Sequence, residues 1–128
     1  MSTNPFSHID LRVNSLERAL PFYEQLLPAL GFTRPFHGPV WKVFAGPGEL
    51  PSAPYFGITE DAAHVPNANL VGFWAASRED VDRIARLVEA NGGKINDGPR
   101  QFPISPTYYA VYFEDPSGNK YEYVHRLD

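Results

Sequence analysis

From Ser7 to Val13 (SHIDLRV) apolar and polar residues alternate. Ile9, Leu11 and Val13 share one face and His8, Asp10 and Arg12 the other, as a strand buried on one side requires. After Ser15, whose hydroxyl suits a helix N-cap, the period becomes helical. Leu16, Ala19, Leu20, Tyr23, Leu26, Leu27 and Leu30 form one stripe, and Gly31 is a natural stop. Pro21 and Pro28 fall inside this helix and are expected to bend or shorten it. Short strands follow near Val40–Ala45 and Tyr55–Thr59, separated by the turn-rich GPGELPSAP.

Beyond the loop DAAHVPNAN the pattern begins again. Leu70–Ala76 reads as a strand, and Ser77 with Asp80 as a capping box. Arg78–Asn91 reads as a helix burying Val81, Ile84, Ala85 and Val88 and ending at Gly92-Gly93. A short strand is expected near Lys94–Ile95. Tyr108–Glu114 and Lys120–His125 then form a hairpin around DPSGN, which is rich in turn formers. Shifting the first half by 62 positions lays Ser15 on Ser77, Phe22 on Ile84, Leu26 on Val88 and Gly31 on Gly93. The chain therefore carries a repeat of strand, helix, then two or three strands. A unit of this size buries little core alone, so the two are expected to pack together or to swap between chains.

Composition narrows the function. The 128 residues suit one domain, and 43% apolar and 20% charged residues suit a globular one. A net charge of −4 and the lack of any basic run argue against nucleic acid or an anionic membrane as partner. With no cysteine, disulfides, thiol nucleophiles and Cys-ligated zinc are excluded. MSTNPFSHID lacks the basic start and apolar run of a secretory leader, and no stretch approaches the roughly 20 apolar residues of a membrane span, so the cytoplasm is the expected location. There is no Gly-rich phosphate loop, GxSxG elbow or HExxH motif. Aromatics reach 14%, and 13 prolines foretell irregular connections.

HIDLRVNSLERALPFYEQLLPALGF at the start and FEDPSGNKYEYV at the end resemble the glyoxalase, bleomycin-resistance and extradiol-dioxygenase (vicinal oxygen chelate) superfamily, over Ser7 to His125. The resemblance implies an α+β fold of two tandem βαβββ modules, about 6–62 and 67–126 of a single domain. These would form a curved mixed sheet around a cleft, with the helices outside. It also implies a homodimer and one divalent metal (Ni, Mn, Zn or Fe), held by a His on the first strand of each module and a Glu on the last strand of the second. His8 falls on the first of these positions and Glu122, set between Tyr121 and Tyr123, on the last. The second His is replaced by Leu70, which cannot bind a metal. His64, Glu60 and Asp10 are the candidates to replace it. A fourth position, used in some members, falls on Phe56 or Gly57. His37 and His125 read as surface residues.

Phe73 is expected to face the helix, which turns Leu70, Gly72 and Trp74 into the cleft. Parity sends Tyr108 and Tyr112 to one side and Tyr109 to the other, and Trp41 and Phe44 are expected to line the first half. The substrate-binding set is thus Leu70, Trp74, Tyr108 and Tyr112, the metal set His8 and Glu122, and the catalytic residue Glu122. The reading taken is a metal-associated lyase or isomerase acting on a small oxygen-rich substrate, with the metal as Lewis acid and Glu122 as proton carrier. The alternative is a metal-free protein that binds or sequesters a small molecule, which Leu70 and the aromatic content favour.

Overall fold

The computed structural model describes residues 5–49 and 52–127. The first four residues of the N-terminal stretch, and Leu50 and Pro51 of the turn GPGELPSAP, lie outside them. The elements are β1 (His8–Val13), α1 (Leu16–Ala29), β2 (Arg34–His37), β3 (Trp41–Ala45), β4 (Tyr55–Glu60), β5 (Leu70–Trp74), α2 (Arg78–Ala90), β6 (Lys94–Gln101), β7 (Tyr109–Glu114) and β8 (Lys120–His125). They build two four-stranded mixed sheets of identical topology, β1-β4-β3-β2 and β5-β8-β7-β6, in which only β1–β4 and β5–β8 are parallel pairs. This is the α+β architecture of two tandem βαβββ modules.

Both helices start as their sequences require: the Ser15 hydroxyl accepts from Arg18 N, and that of Ser77 from Asp80 N. α1 ends at Gly31, whose φ of 107° is the left-handed conformation that relieves a helix C-terminus. Contrary to expectation, α1 runs through Pro21 and Pro28 without interruption. Each proline deprives a carbonyl one turn back, at Glu17 or Glu24, of its donor. Both of those residues are exposed, so the freed carbonyls are open to solvent.

One core serves both sheets. Phe22, Tyr23, Leu26 and Leu27 of α1 and Val81, Ile84 and Val88 of α2 are fully buried. Against them lie Phe56 of β4, Phe73 of β5 and Tyr121 of β8, whose ring centroids are 5.9 to 6.2 Å apart. Each sheet therefore has a core face and an open face. The Tyr23 hydroxyl crosses from α1 to the β7–β8 turn, donating to the Asp115 carboxylate and lying 2.6 Å from the Tyr121 hydroxyl. Asp115 also accepts from Ser117 N and Asn119 N, both at 2.8 Å, which fixes the DPSGN turn and the start of β8.

Two strands differ from the sequence reading. β2 (RPFH) is missed because it contains Pro35, tolerable only because β2 is an edge strand. β6 has eight residues rather than two. Its pairing with β7 slips between Ile95 and Asp97 and again before Arg100, and this irregularity, together with Gly98-Pro99, hides the alternation.

Candidate functional site: a buried carboxylate on the open face

β8 places Tyr121 and Tyr123 in the core, so strand alternation turns Glu122 to the open face. Pairing sets Glu122 between Gly72 on β5 and Tyr112 on β7. A side chain at position 72 would begin in open space, with no atom within 4 Å of its Cβ, so the glycine leaves room beside the carboxylate. Glu122 is nevertheless only 7% exposed. The Tyr108 hydroxyl donates a hydrogen bond to its Oε2. Tyr112 stands beside it, and both phenols titrate above their ordinary value. For Tyr108 the causes are burial first, then the hydrogen bond to Glu122 and its charge; for Tyr112, burial and then the Glu122 charge. Tyr109 points the other way, its hydroxyl donating to Asp82 of α2 at 2.7 Å, as parity requires.

Glu122, Tyr108, Gly72, Trp74 and Arg126 line a depression of about 200 Å³. It adjoins a larger, mostly apolar hollow of about 570 Å³ that contains His8, Phe32, Tyr55 and Leu70, the two sharing Gly72, Phe73 and Trp74. Leu70 and Trp74 are 48% and 57% exposed there, and with Phe6 they form an apolar rim to the hollow. Arg126 was not among the sequence candidates. It shares the parity of Glu122 and Val124 but lies just past the strand end, and its guanidinium sits 4.5 Å from the Trp74 ring centroid. Phe102, equally unforeseen, meets Tyr112 edge-on at 5.1 Å and carries Arg100 over its ring at 3.9 Å.

His8 is exposed on the open face of the first sheet. Its ring stacks on Tyr55 at 4.5 Å, and Nδ1 is 2.9 Å from the Ser7 hydroxyl. Strand register fixes the correspondence between modules. His8 pairs with Tyr55 and Leu70 with Lys120, so His8 and Leu70 are equivalent; Asp10 pairs with Gly57 and Gly72 with Glu122, so the counterpart of Glu122 is Gly57. The offset on these last strands is therefore 65 and not 62. Glu60 sits opposite Val13, and its carboxylate accepts from Leu16 N at 2.9 Å, at the start of α1. His64 lies in a separate groove with Asp10, Arg12 and Lys120, and Asp10 is paired with Arg12 at 3.3 Å. Of the first-half aromatics, Trp41 faces the open side with Asp10 and Tyr55. Phe44 does not: opposite Phe56 in the register, it is core, at 3% exposure.

These donors do not fit a resident divalent ion. Such ions take three or more protein ligands as a rule. Leu70 and Gly57 offer none, and among the described residues no group of three His, Cys, Asp or Glu is placed to hold a metal.

Similarity to known proteins agrees with this architecture. The family model described as "Glyoxalase/Bleomycin resistance protein/Dioxygenase superfamily" matches residues 6–123. A glyoxalase/bleomycin resistance protein from Albidiferax ferrireducens T118 is 30% identical, with a TM-score of 0.79, over 97% of this chain and 100% of that one. A glyoxalase/bleomycin resistance protein/dioxygenase from Nocardioides is 21% identical, with a TM-score of 0.70, over 100% and 87%. The fosfomycin resistance protein FosX from Listeria monocytogenes, solved with Mn(II) and sulfate, is 21% identical, with a TM-score of 0.71, over 99% and 93%; at that identity it speaks for the fold alone. No curated protein gives a match. With the family pattern running through nearly the whole chain and the paired modules seen in the structure, the chain belongs to the glyoxalase/bleomycin resistance protein/dioxygenase superfamily.

Proposed function

We propose that this chain binds a small organic molecule on the open face of its second sheet without a divalent metal. Leu70, Trp74, Tyr108 and Tyr112 would be the contact residues and Glu122 the polar anchor. The observation that carries the reading is the register: Leu70 and Gly57 stand where the family pattern calls for donors, while Glu122 is engaged by the Tyr108 phenol. An adjoining hollow of about 570 Å³ falls within the size range of small-molecule sites, and an apolar lining with few polar groups is their usual character. The exposed Leu70 and Trp74 also support a homodimer that covers part of this surface, which sedimentation would test.

The test uses the two tryptophans. Trp41→Phe leaves Trp74 as the sole indole reporter, and planar aromatic ligands are titrated against its emission. Calorimetry with Mn²⁺, Ni²⁺ and Zn²⁺ accompanies it. Saturable quenching together with no stoichiometric metal uptake is the expected result. The second reading, a metal-dependent lyase or isomerase, draws on the presence of both His8 and Glu122 at family ligand positions. Metal uptake near one equivalent, lost in both His8→Ala and Glu122→Ala, would replace the first reading with it.

A further inference from the structure

Glu122 is a buried carboxylate without a cation. Among the described residues the ion pairs are Asp10–Arg12, Asp80–Arg83 and Asp97–Arg100, and none includes it. Taking a carboxylate out of water is costly unless a counter-charge or full hydrogen bonding replaces the lost hydration. Neutral phenols offset only part of that cost. The shortage is not for want of basic residues nearby. Arg126 lines the same depression but rests on Trp74. Arg100 is held by both oxygens of Asp97 at 3.0 Å. Lys120, two residues before Glu122 on the same face, donates to the Asn67 carbonyl at 3.2 Å. Arg126 thus stays on Trp74 within the depression, Arg100 and Lys120 are engaged away from it, none of the three is paired with Glu122, and the space beside Glu122 is kept clear by Gly72.

Taking the metal-free binding reading as its premise, we infer that the ligand's polar end is a protonated amine, seated on Glu122 with Trp74, Tyr108 and Tyr112 as its aromatic surroundings. An ammonium supplies the missing counter-charge and is attracted to the faces of aromatic rings. It carries up to three donors where the carboxylate offers free acceptor positions. A ligand carboxylate or phosphate would meet a buried like charge at Glu122, and the cation that lines the depression, Arg126, rests on Trp74 rather than beside the carboxylate. The apolar part of the molecule then extends over Leu70 into the larger hollow.

The probes are benzylammonium, benzyl alcohol and benzoate, which share one ring and differ in charge. Each is titrated against the Trp74 emission of the Trp41→Phe protein and, in a second series, with Glu122→Gln added. A charge-assisted contact of this kind corresponds to about ten- to a hundredfold in affinity. Benzylammonium is therefore expected to bind at least about tenfold more tightly than benzyl alcohol, and benzoate least. Glu122→Gln is expected to bring the amine and the alcohol level. Tyr108→Phe, which frees the carboxylate of its phenol, should keep the preference for the amine; its disappearance there would overturn the inference even if the Gln variant fails to fold. Equal binding of amine and alcohol, unchanged by Glu122→Gln, overturns the ammonium assignment and leaves the metal-free pocket standing. No response to any of the three probes overturns both, as does stoichiometric metal uptake that Glu122→Gln abolishes.

Discussion

Replacing Tyr23 by Phe removes one oxygen atom and tests whether the two modules are held together by a polar contact inside an apolar core. In the native arrangement that hydroxyl donates to Asp115 and touches the Tyr121 hydroxyl at 2.6 Å, and both tyrosines are fully buried. A hydrogen bond to a charged acceptor contributes about 1.5–3 kcal/mol, and a buried hydroxyl left without its partner costs about 1–3 kcal/mol. Asp115 keeps Ser117 N, Asn119 N and the Asn119 amide, the last at 3.0 Å, so the carboxylate itself is not orphaned. The loss should then be about 2–4 kcal/mol, a large part of the roughly 5–15 kcal/mol by which a domain is stable. Urea unfolding followed by far-UV circular dichroism measures it, with the m-value expected to stay unchanged. Tyr121→Phe and the double variant complete a cycle, in which a coupling of roughly 0.5–3 kcal/mol is expected because the two hydroxyls share one network. A loss below about 0.5 kcal/mol for Tyr23→Phe, with additive behaviour in the cycle, would refute the reasoning.

Other consequences follow from the same geometry. Burial first, then the neighbouring Tyr121 and Asp115 charges for Tyr23 and the Asp115 charge for Tyr121, hold both phenols well above the ordinary range. In the unfolded chain they ionise near pH 10, so their contribution is complete below that pH and is lost as pH rises beyond it. Stability should accordingly fall on the alkaline side, and less steeply in the double Phe variant, as urea midpoints across that range would register. At Gly93 an added Cβ would lie 2.6 Å from Val88 Cγ1, 2.7 Å from Phe22 Cε1 and 2.8 Å from the Glu114 carbonyl. Gly93→Ala is expected to cost at least about 1–3 kcal/mol, and a midpoint equal to wild type would show that the contact yields freely. Leu70→His restores the donor that the family pattern lacks here; it should raise Ni²⁺ or Zn²⁺ affinity above that of wild type in calorimetry, and no gain would mean that His8 and Glu122 do not converge on its position.

The repeat was legible because each module repeats the same two physical requirements, a capped amphipathic helix and a strand with one apolar face. Ser15 with Ser77 and Leu26 with Val88 report these at one offset. Glu122 between two buried tyrosines was legible for the same reason, since strand parity left it only the open face. Parity also grouped Tyr108 with Tyr112, but the face they occupy became definite only through the Tyr112–Glu122 pairing. Edge strand β2 and the slipped β6 were lost because Pro35, Gly98 and Pro99 break the alternation on which such a reading depends. Phe44 was misassigned because nothing in WKVFA shows which of its faces meets a helix. Arg126 and Arg100 escaped notice for another reason: an arginine resting on a ring looks in sequence like any solvated charge.

The two modules share a backbone and differ in where each puts a carboxylate. In the first sheet Asp10 on β1 faces Gly57 on β4; in the second, Gly72 on β5 faces Glu122 on β8. The glycine makes the room in each case, and at Gly57 an added Cβ would already come within 3.4 Å of Asp10 Oδ1. Neutralisation differs sharply, however. The Asp10 side chain is 49% exposed and paired with Arg12, whereas Glu122 is buried beside phenols. An exposed pair of that kind contributes little, so Asp10→Asn should shift stability by less than about 0.5 kcal/mol. Glu122 should behave in the opposite way, because a buried carboxylate without a counter-charge is a cost the fold carries for its ligand. Glu122→Gln, which keeps an acceptor for Tyr108, should raise stability, on the order of 1 kcal/mol, while removing the preference for amines. If instead Glu122→Gln destabilises the protein by more than Asp10→Asn does, the carboxylate is compensated within the fold, the expectation of a cost fails, and the amine preference of the Tyr108→Phe protein alone decides the binding role.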